Sequence, residues 1–284
     1  MPVQNEARLR PVSSRQNAQV KDLRKAFSQA EPTREGYIAI EGIRLIEEAI
    51  RSGLRFQTVF FSESGRVHSS RLLPQIASHA EALLLPDEVF LSAVATETPQ
   101  GVAALVKPKT VRLEEILGEH SKSDPDLLLL GLAGVQDPGN VGTVIRSAEA
   151  FSARAVLLGE KTANHFNSKV VRASAGSVFR EPVIRVSWAE AVTSLKEHGV
   201  RMVATSSHKG QSLDEIDLTG PLALLIGGEG SGLPPAVAAH SDELVTIPHS
   251  PRVESLNAGI AASILLYEAA RRKGSGDRVI GRKQ

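Results

Sequence analysis

The chain changes its hydrophobic rhythm near its middle. From Arg8 to about Lys107, short apolar runs alternate with amphipathic stretches. Tyr37–Glu41 (YIAIE) alternates with period two and predicts a strand. Gly42–Arg51 then places Ile43, Ile46 and Ile50 at helical spacing, with Gly53 as a natural stop. Gln57–Ser62 (QTVFFS) predicts the next strand, helices are expected near Ser69–His79 and Asp87–Ala95, and Gly101–Val106 predicts a closing strand. Together these make a small α/β unit over residues 1–107. Pro108, an acidic amphipathic piece and the polar SKSDPD follow, so residues 108–126 are expected to be a linker.

Beyond it the apolar runs become short and nearly continuous: Leu127–Ala133, Ala155–Gly159, Arg201–Thr205, Leu222–Ile226 and Glu243–Ile247, separated by helical segments. Strands apolar on both faces are buried from both sides, so residues 127–272 are expected to fold as a parallel sheet covered by helices. Ligands of such sheets sit at the carboxyl ends of the strands.

Composition narrows the chemistry. A chain of 284 residues suits two domains, and 42% hydrophobic with 23% charged residues is ordinary for a globular protein. The absence of cysteine removes disulfides, Cys-ligated zinc, iron–sulfur clusters and thiol nucleophiles together. The eight histidines are scattered without a helical two-His pair, so a metal-free site is expected. No apolar run approaches the roughly 18 residues of a membrane span, and the start (MPVQNEARLR) has no apolar signal region, so no membrane contact and a cytoplasmic location are expected. The net charge of +1 says nothing about nucleic acid, but Arg271, Arg272, Lys273, Arg278, Arg282 and Lys283 stand against Asp277 alone, which makes 273–284 a basic tail. The 8 Phe, 2 Tyr and 1 Trp are not clustered as a base-stacking surface requires.

Three segments combine a strand end, a polar loop and a helix start. Gly134–Ala153 (GVQDPGNVGTVIRSAEAFSA) offers Asn140 as an N-cap, puts Val141, Val144, Ala148 and Phe151 on one helical face, and leaves Arg146 off that stripe. Leu224–Pro235 (LLIGGEGSGLPP) surrounds Glu229 with glycines that let backbone amides approach a ligand. It lacks both the Lys-Ser/Thr of a P-loop and the spacing of a dinucleotide fingerprint, which disfavours a nicotinamide oxidoreductase. Val245–Arg272 leaves a strand at Pro248, offers Ser255 as a cap with Asn257 beside it, and places Leu256, Ile260, Ile264 and Leu265 toward a core. Each segment alone has a structural explanation as a turn or a capped helix. All three at carboxyl ends of predicted strands are a far less ordinary coincidence.

Taken together, they resemble motifs 1, 2 and 3 of the SpoU/TrmH family of RNA 2′-O-methyltransferases, within the SPOUT superfamily. Asn140 through Arg146 resembles N-x-G-x-x-x-R, Gly227–Gly232 with Leu233 resembles the glycine-glutamate turn, and Ile247-Pro248 with Ser255-Leu256-Asn257 resembles I-P…S-L-N. Asn167–Pro182 resembles the segment between the first two motifs. Gln16-Asn17, Val20-Lys21, Leu23-Arg24, Gly36–Gly42 and Thr98–Val102 are similar to the family's ribosomal-protein-like substrate-binding extension, typical of members that modify 23S ribosomal RNA.

The resemblance implies S-adenosylmethionine as donor, a deep trefoil knot around the cofactor pocket, and a homodimer with active sites at the interface. RNA rather than DNA is the implied partner. It places Gly227, Gly228, Ile247 and Leu256 at the cofactor, with Thr205 at an earlier strand end. Arg146 is the implied catalytic residue. A guanidinium stays protonated to a pKa above about 12, so Arg146 is expected to bind phosphate and stabilise the 2′-alkoxide rather than act as a free base. Asn140 would orient Arg146 or the ribose, Glu229 would hold the second loop and Arg146, and Ser255 and Asn257 would bond near the substrate. Arg15, Lys21, Arg24 and Lys25 are candidate RNA contacts. A non-catalytic RNA-binding or assembly protein that kept the fold is the alternative, against which stand the polar residues of all three loops.

Overall fold

In the computed structural model, which describes residues 8–118, 124–230 and 232–274, each rhythm becomes its own sheet. The basic tail beyond Gly274 and positions 119–123 of the expected linker lie outside the described residues. The first of two units takes the chain up to Lys109 together with Phe166–Phe179. Its elements are β1 (Leu9–Pro11), α1 (Ala18–Gln29), β2 (Ile38–Glu41), α2 (Ile43–Arg51), β3 (Arg55–Ser62), α3 (Ser69–Leu72), β4 (Glu81–Leu85), α4 (Asp87–Leu91) and β5 (Val102–Lys107). The sheet order is β1-β4-β3-β5-β2, with β3 parallel to β4 and antiparallel to β5.

Strand alternation builds two cores. β3 sends Val59 and Phe61 to one face and Phe60 to the other, and β5 divides Val102, Ala104 and Val106 from Ala103 and Leu105 in the same way. α1 starts at Asn17, whose side chain accepts from the Gln19 and Val20 amides, and covers the Phe60 face with Val20, Leu23 and Ala26. α2 covers the other face with Leu45, Ile46 and Ala49, and Gly53 at φ +67° ends it as expected. The helix expected near Ser69–His79 stops at Leu72 and tightens into a 3-10 turn over Leu73–Gln75, because Pro74 has no amide to donate. The helix expected over Asp87–Ala95 ends at Leu91. β1 and β4 were not expected: neither has the alternation that marked β2.

The second unit holds Thr110–His165 and the chain from Arg180 onward. Along the chain run α5 (Leu113–Gly118), β6 (Leu128–Ala133), α6 (Pro138–Ala150), β7 (Ala155–Leu158), then α7 (Ser168–Ala173) within the first unit. They are followed by β8 (Val183–Arg185), α8 (Trp188–Glu197), β9 (Arg201–Thr205), β10 (Gln211–Ser212), β11 (Leu222–Gly227), α9 (Pro235–Ala238), β12 (Glu243–Thr246) and α10 (Ala258–Arg272). Seven strands in the order β10-β12-β9-β11-β6-β7-β8 pair in parallel throughout. All six residues of β6 are buried, as a strand covered on both faces must be. One face packs against α5 and α8, and on the other α6 lies along α10. The Trp188 indole lies so close over β6 and β7 that a Cβ at Gly131 or Gly159 would come 2.5 Å and 1.8 Å from it.

Two domain expectations are corrected. Residues 108–126 are not simply a linker, since Leu113, Ile116 and Leu117 of α5 are buried in the second unit's core. Phe166–Phe179, expected with the C-terminal domain, instead gives Val171 and Phe179 to the same core as Ile46 and Phe61. Its apolar residues advertise a buried face, and local pattern carries no address for the partner.

Candidate active site

Parallel strands put all their carboxyl ends at one edge, and there the loops after β9, β11 and β12 enclose a cavity of about 770 Å³. Thr205, Gly227, Gly228, Ile247 and Leu256, expected at the cofactor, all line it, as do Glu229, Ser255 and Asn257. The second loop is closed on itself: Gly228 N–H donates to the Gly232 carbonyl at 3.1 Å and Gly232 N–H returns to the Gly228 carbonyl at 3.0 Å. A Cβ at Gly227 would lie 2.2 Å from the Gly232 carbonyl carbon, so only glycine permits this closure. The Thr205 hydroxyl is committed to the Leu225 carbonyl at 3.0 Å, tying β9 to β11.

The first loop joins the second through one bond. Asp137, not Asn140, caps α6, accepting from the Asn140 amide at 2.8 Å, with Pro138 suited to the first helical turn. The Asn140 side chain is thereby free, and its Nδ2 donates to Glu229 Oε1 at 2.5 Å. The third loop is capped two residues later than expected, at Asn257 rather than Ser255. Asn257 accepts from the Gly259 and Ile260 amides at 2.9 and 3.2 Å, while Ser255 is exposed on the cavity wall and caps nothing. Starting α10 at Ala258 turns Ala262, Leu265, Leu266 and Ala269 inward and leaves Ile260, expected in the core, 54% exposed.

Arg146 stands apart from the cavity. It is exposed on α6, six residues beyond Asn140 and so about 240° around the helix. Glu229 bonds Asn140 and, among the described residues, makes no bond to Arg146 of the same chain. Of the candidate RNA contacts, Lys21 and Lys25 are exposed and Arg15 lies 3.7 Å from Glu88. Arg24 is half-buried and donates through Nε to the Ser92 carbonyl at 2.9 Å. The sequence reading passed over His208, His249 and Glu254 on the cavity wall, and Arg44 and Arg172 beside a groove of about 670 Å³ in the first unit. The histidines and Glu254 lie on loops with no periodicity to single them out, and Arg44 and Arg172 are exposed positions of α2 and α7 that periodicity marks only as surface.

The residues fit a cationic cofactor. The described lining residues include Glu229 and Glu254 but no Lys or Arg, and the closed glycine loop brings backbone groups to the wall in place of side chains. A loop-cradled cavity at the carboxyl edge of a parallel sheet, with acidic and no basic side chains on its described wall, defines an α/β protein with a pocket suited to a small cationic ligand. The comparisons are more specific. Residues 127–267 match the model of the SpoU rRNA methylase family, and residues 17–104 match an MRM3-like substrate binding domain. The chain is 34% identical over 259 residues to the 23S rRNA (guanosine(2553)-2′-O)-methyltransferase RlmP of Bacillus subtilis, covering 91% of this chain and 98% of that one. It is 33% identical over 240 residues to the 23S rRNA (guanosine-2′-O-)-methyltransferase RlmB of Escherichia coli, covering 82% and 98%. The structure of an AdoMet-bound rRNA methyltransferase from Sinorhizobium meliloti superimposes with a TM-score of 0.79 at 28% identity, covering 93% of this chain and 98% of that one. This chain belongs to the SpoU rRNA methylase family and is an RNA methyltransferase. The non-catalytic and oxidoreductase alternatives give way to that membership.

Proposed function

We propose that this chain transfers a methyl group from S-adenosylmethionine to a ribose 2′-hydroxyl of 23S ribosomal RNA, working as a homodimer in the cytoplasm. The observation that carries the reading is the convergence of the second and third polar loops on one cavity, with the first loop tied to them by the Asn140–Glu229 bond. The donor supplies an electrophilic methyl on a cationic sulfur. Gly227, Gly228, Ile247 and Leu256 hold it with backbone groups and packing, and Asn140 and Glu229 fix the mouth of the cavity. As the 2′-oxygen bonds to the methyl carbon the carbon–sulfur bond would break, releasing neutral S-adenosylhomocysteine and passing the hydroxyl proton to solvent, and Arg146, bound to the adjacent phosphate, would stabilise the negative charge that develops on the oxygen.

The dimer accounts for where Arg146 lies. It is absent from the cavity wall of its own chain and exposed on α6. Ile260 and Tyr267, each 54% exposed, lie with Ile264 on one stripe of α10, and Tyr267 meets Phe151 edge to face at 5.7 Å. A second copy seated on this stripe would bring its Arg146 to the cavity. The knot is also part of the reading. Arg272 at the end of α10 donates to the carbonyls of Leu213 and Ile216, and Lys273 to those of Leu127 and Gly220, so the last helix ends among segments that precede β11 and β6. Lys21, Lys25, Arg44 and Arg172 present exposed positive charge to RNA on the first unit. Among the described residues no helix is long and apolar enough to cross a membrane.

The test is to map 2′-O-methyl groups on 23S rRNA from cells with and without the gene, and to restore the missing one in vitro with purified protein and labelled donor. Unchanged methylation in the deletion strain would refute the assignment of substrate.

A further inference from the structure

α6 and α10 run side by side in the same direction, and their facing side chains pair off rung by rung. At the cavity end Gly259 lets the helices close: a Cβ there would come 3.3 Å from Asn140 Oδ1 and 3.4 Å from Thr143 Cβ. One turn further on, Ser147 Oγ and Ser263 Oγ lie 2.7 Å apart. At the far end the ring of Phe151, the C-cap of α6, meets that of Tyr267 edge to face. Residues 143, 147 and 151 on one side and 259, 263 and 267 on the other fall at i, i+4 spacing, so the rungs share one stripe of each helix.

The middle rung has a direction. Ser263 Oγ donates its one proton to the Gly259 carbonyl at 2.7 Å, so it receives from Ser147. Gly259 in turn gives its amide proton to Asn257 Oδ1 at 2.9 Å, and Asn257 lines the cavity. A continuous line therefore runs from the cavity wall to α6 and meets it at the residue after Arg146. Arg146 itself is exposed and forms no hydrogen bond or ion pair among the described residues, so its place is set by the rotation and height of the helix that carries it. The Asn140–Glu229 bond holds only the first turn of that helix. The outer rungs are contacts that tolerate sliding, whereas a hydroxyl pair at hydrogen-bond distance does not.

We propose that Ser147 and Ser263 are positioning residues for methyl transfer: their hydroxyl pair fixes the setting of α6 against α10, and with it the place from which Arg146 reaches the reacting 2′-oxygen. The proposal rests on the reading of Arg146 as the residue that stabilises the developing charge. The pair binds Arg146's helix to α10, whose exposed stripe would seat the second copy, so the arginine and the docking surface move as one body. A shift of about 1 Å at a reacting centre can cost on the order of a hundredfold in rate, and loss of a tie beside the arginine is expected to cost part of that.

The experiment measures single-turnover methyl transfer, at saturating labelled S-adenosylmethionine, to 23S ribosomal RNA from a strain lacking the gene. Donor affinity is read by calorimetry and mass by light scattering, all on the full-length chain. Ser147→Ala leaves no donor without a partner and raises helix propensity, so the variant should fold. Its rate should fall on the order of tenfold with donor affinity and mass unchanged. Ser263→Ala should lose as much, and the double variant no more, since either deletion breaks the one pair. In an Arg146→Ala background Ser147→Ala should cost less than about twofold, because the tie acts only through the arginine. A full rate in Ser147→Ala, a rate loss that travels with donor affinity or mass, or an undiminished loss in the Arg146→Ala background overturns the proposal. An unchanged rate in Arg146→Ala alone overturns the reading of Arg146, and the proposal with it.

Discussion

Asn140 and Glu229, 89 residues apart in sequence, are joined by a 2.5 Å bond from Nδ2 to Oε1 that ties the start of α6 to the glycine loop after β11. The bond exists because Asp137 caps the helix and releases Asn140 from that task. If it orders the two loops, the variants Asn140→Ala and Glu229→Gln should each weaken donor binding, and a double-mutant cycle should give a coupling of about 1 kcal/mol, modest because the bond is solvent-exposed. Additive effects in calorimetry would mean that the two loops are ordered independently.

Arg146 is exposed and lines no part of its own chain's cavity. Acting on charge that appears only as the reaction proceeds, Arg146→Ala should lower the single-turnover methylation rate by on the order of 10²–10³ and leave donor affinity nearly unchanged. Arg146→Lys should recover little, since an ammonium cannot make the guanidinium's paired contacts. Loss of donor affinity with an unchanged rate at saturation would make the residue a structural prop.

The exposed stripe on α10 predicts the assembly. Light scattering should report twice 30.3 kDa for the intact chain. Ile260→Arg should shift the population toward monomer and reduce activity, and mixing it with Arg146→Ala subunits should show whether arginine and cavity come from different copies. A fully active monomer would remove the dimer from the mechanism.

Glu181 predicts a pH dependence of stability. Burial pushes its carboxyl up from 4.5 to about 8, with nearby Glu149 adding to the rise and Arg154 opposing it, and its Oε1 has no hydrogen-bond partner among the described residues. Below the unfolded value both states are protonated and nothing is lost. As pH rises from there to about 8 the unfolded chain ionises first, and the folded state loses its relative advantage. Glu181→Gln should therefore stabilise the protein at pH 8 by on the order of 2 kcal/mol and have little effect near pH 4. Equal effects at both pH values in chemical denaturation would exclude this origin.

The first unit's core draws on Val171 and Phe179 from well beyond the unit's main segment. Phe179→Ala should destabilise that unit by about 3–5 kcal/mol, the cost of a large buried cavity. Hydrogen exchange should show the loss in β2 and β5. Fluorescence of Trp188, the single tryptophan, reports the second unit and should change less. Protection that falls only in the second unit would contradict the packing.

Continuous apolar runs sufficed to announce β6, β7, β9 and β11, because a strand covered on both faces has few polar positions to hide it, and β12 was announced by the same pattern although only its Val245 is buried. Local chemistry likewise singled out Asn140, Glu229 and Asn257, since glycine turns and polar caps are dictated by nearby backbone, whereas Gly227, Ile247 and Leu256 were named by the resemblance to the family's motifs. What sequence left undetermined depends on partners far along the chain. Asn140 and Asp137 are both good caps, and only the α6 geometry chose Asp137. The apolar face of Phe166–Phe179 found its core in the first unit, and Leu113, Ile116 and Leu117 turned an expected linker into covered structure. His208 and His249 lie 41 positions apart in the numbering and meet only because β9 and β12 are neighbours in the sheet. Periodicity records which residues must be buried. Which surfaces bury them, and which side chains thereby meet, is decided by strand order and packing that no local window contains.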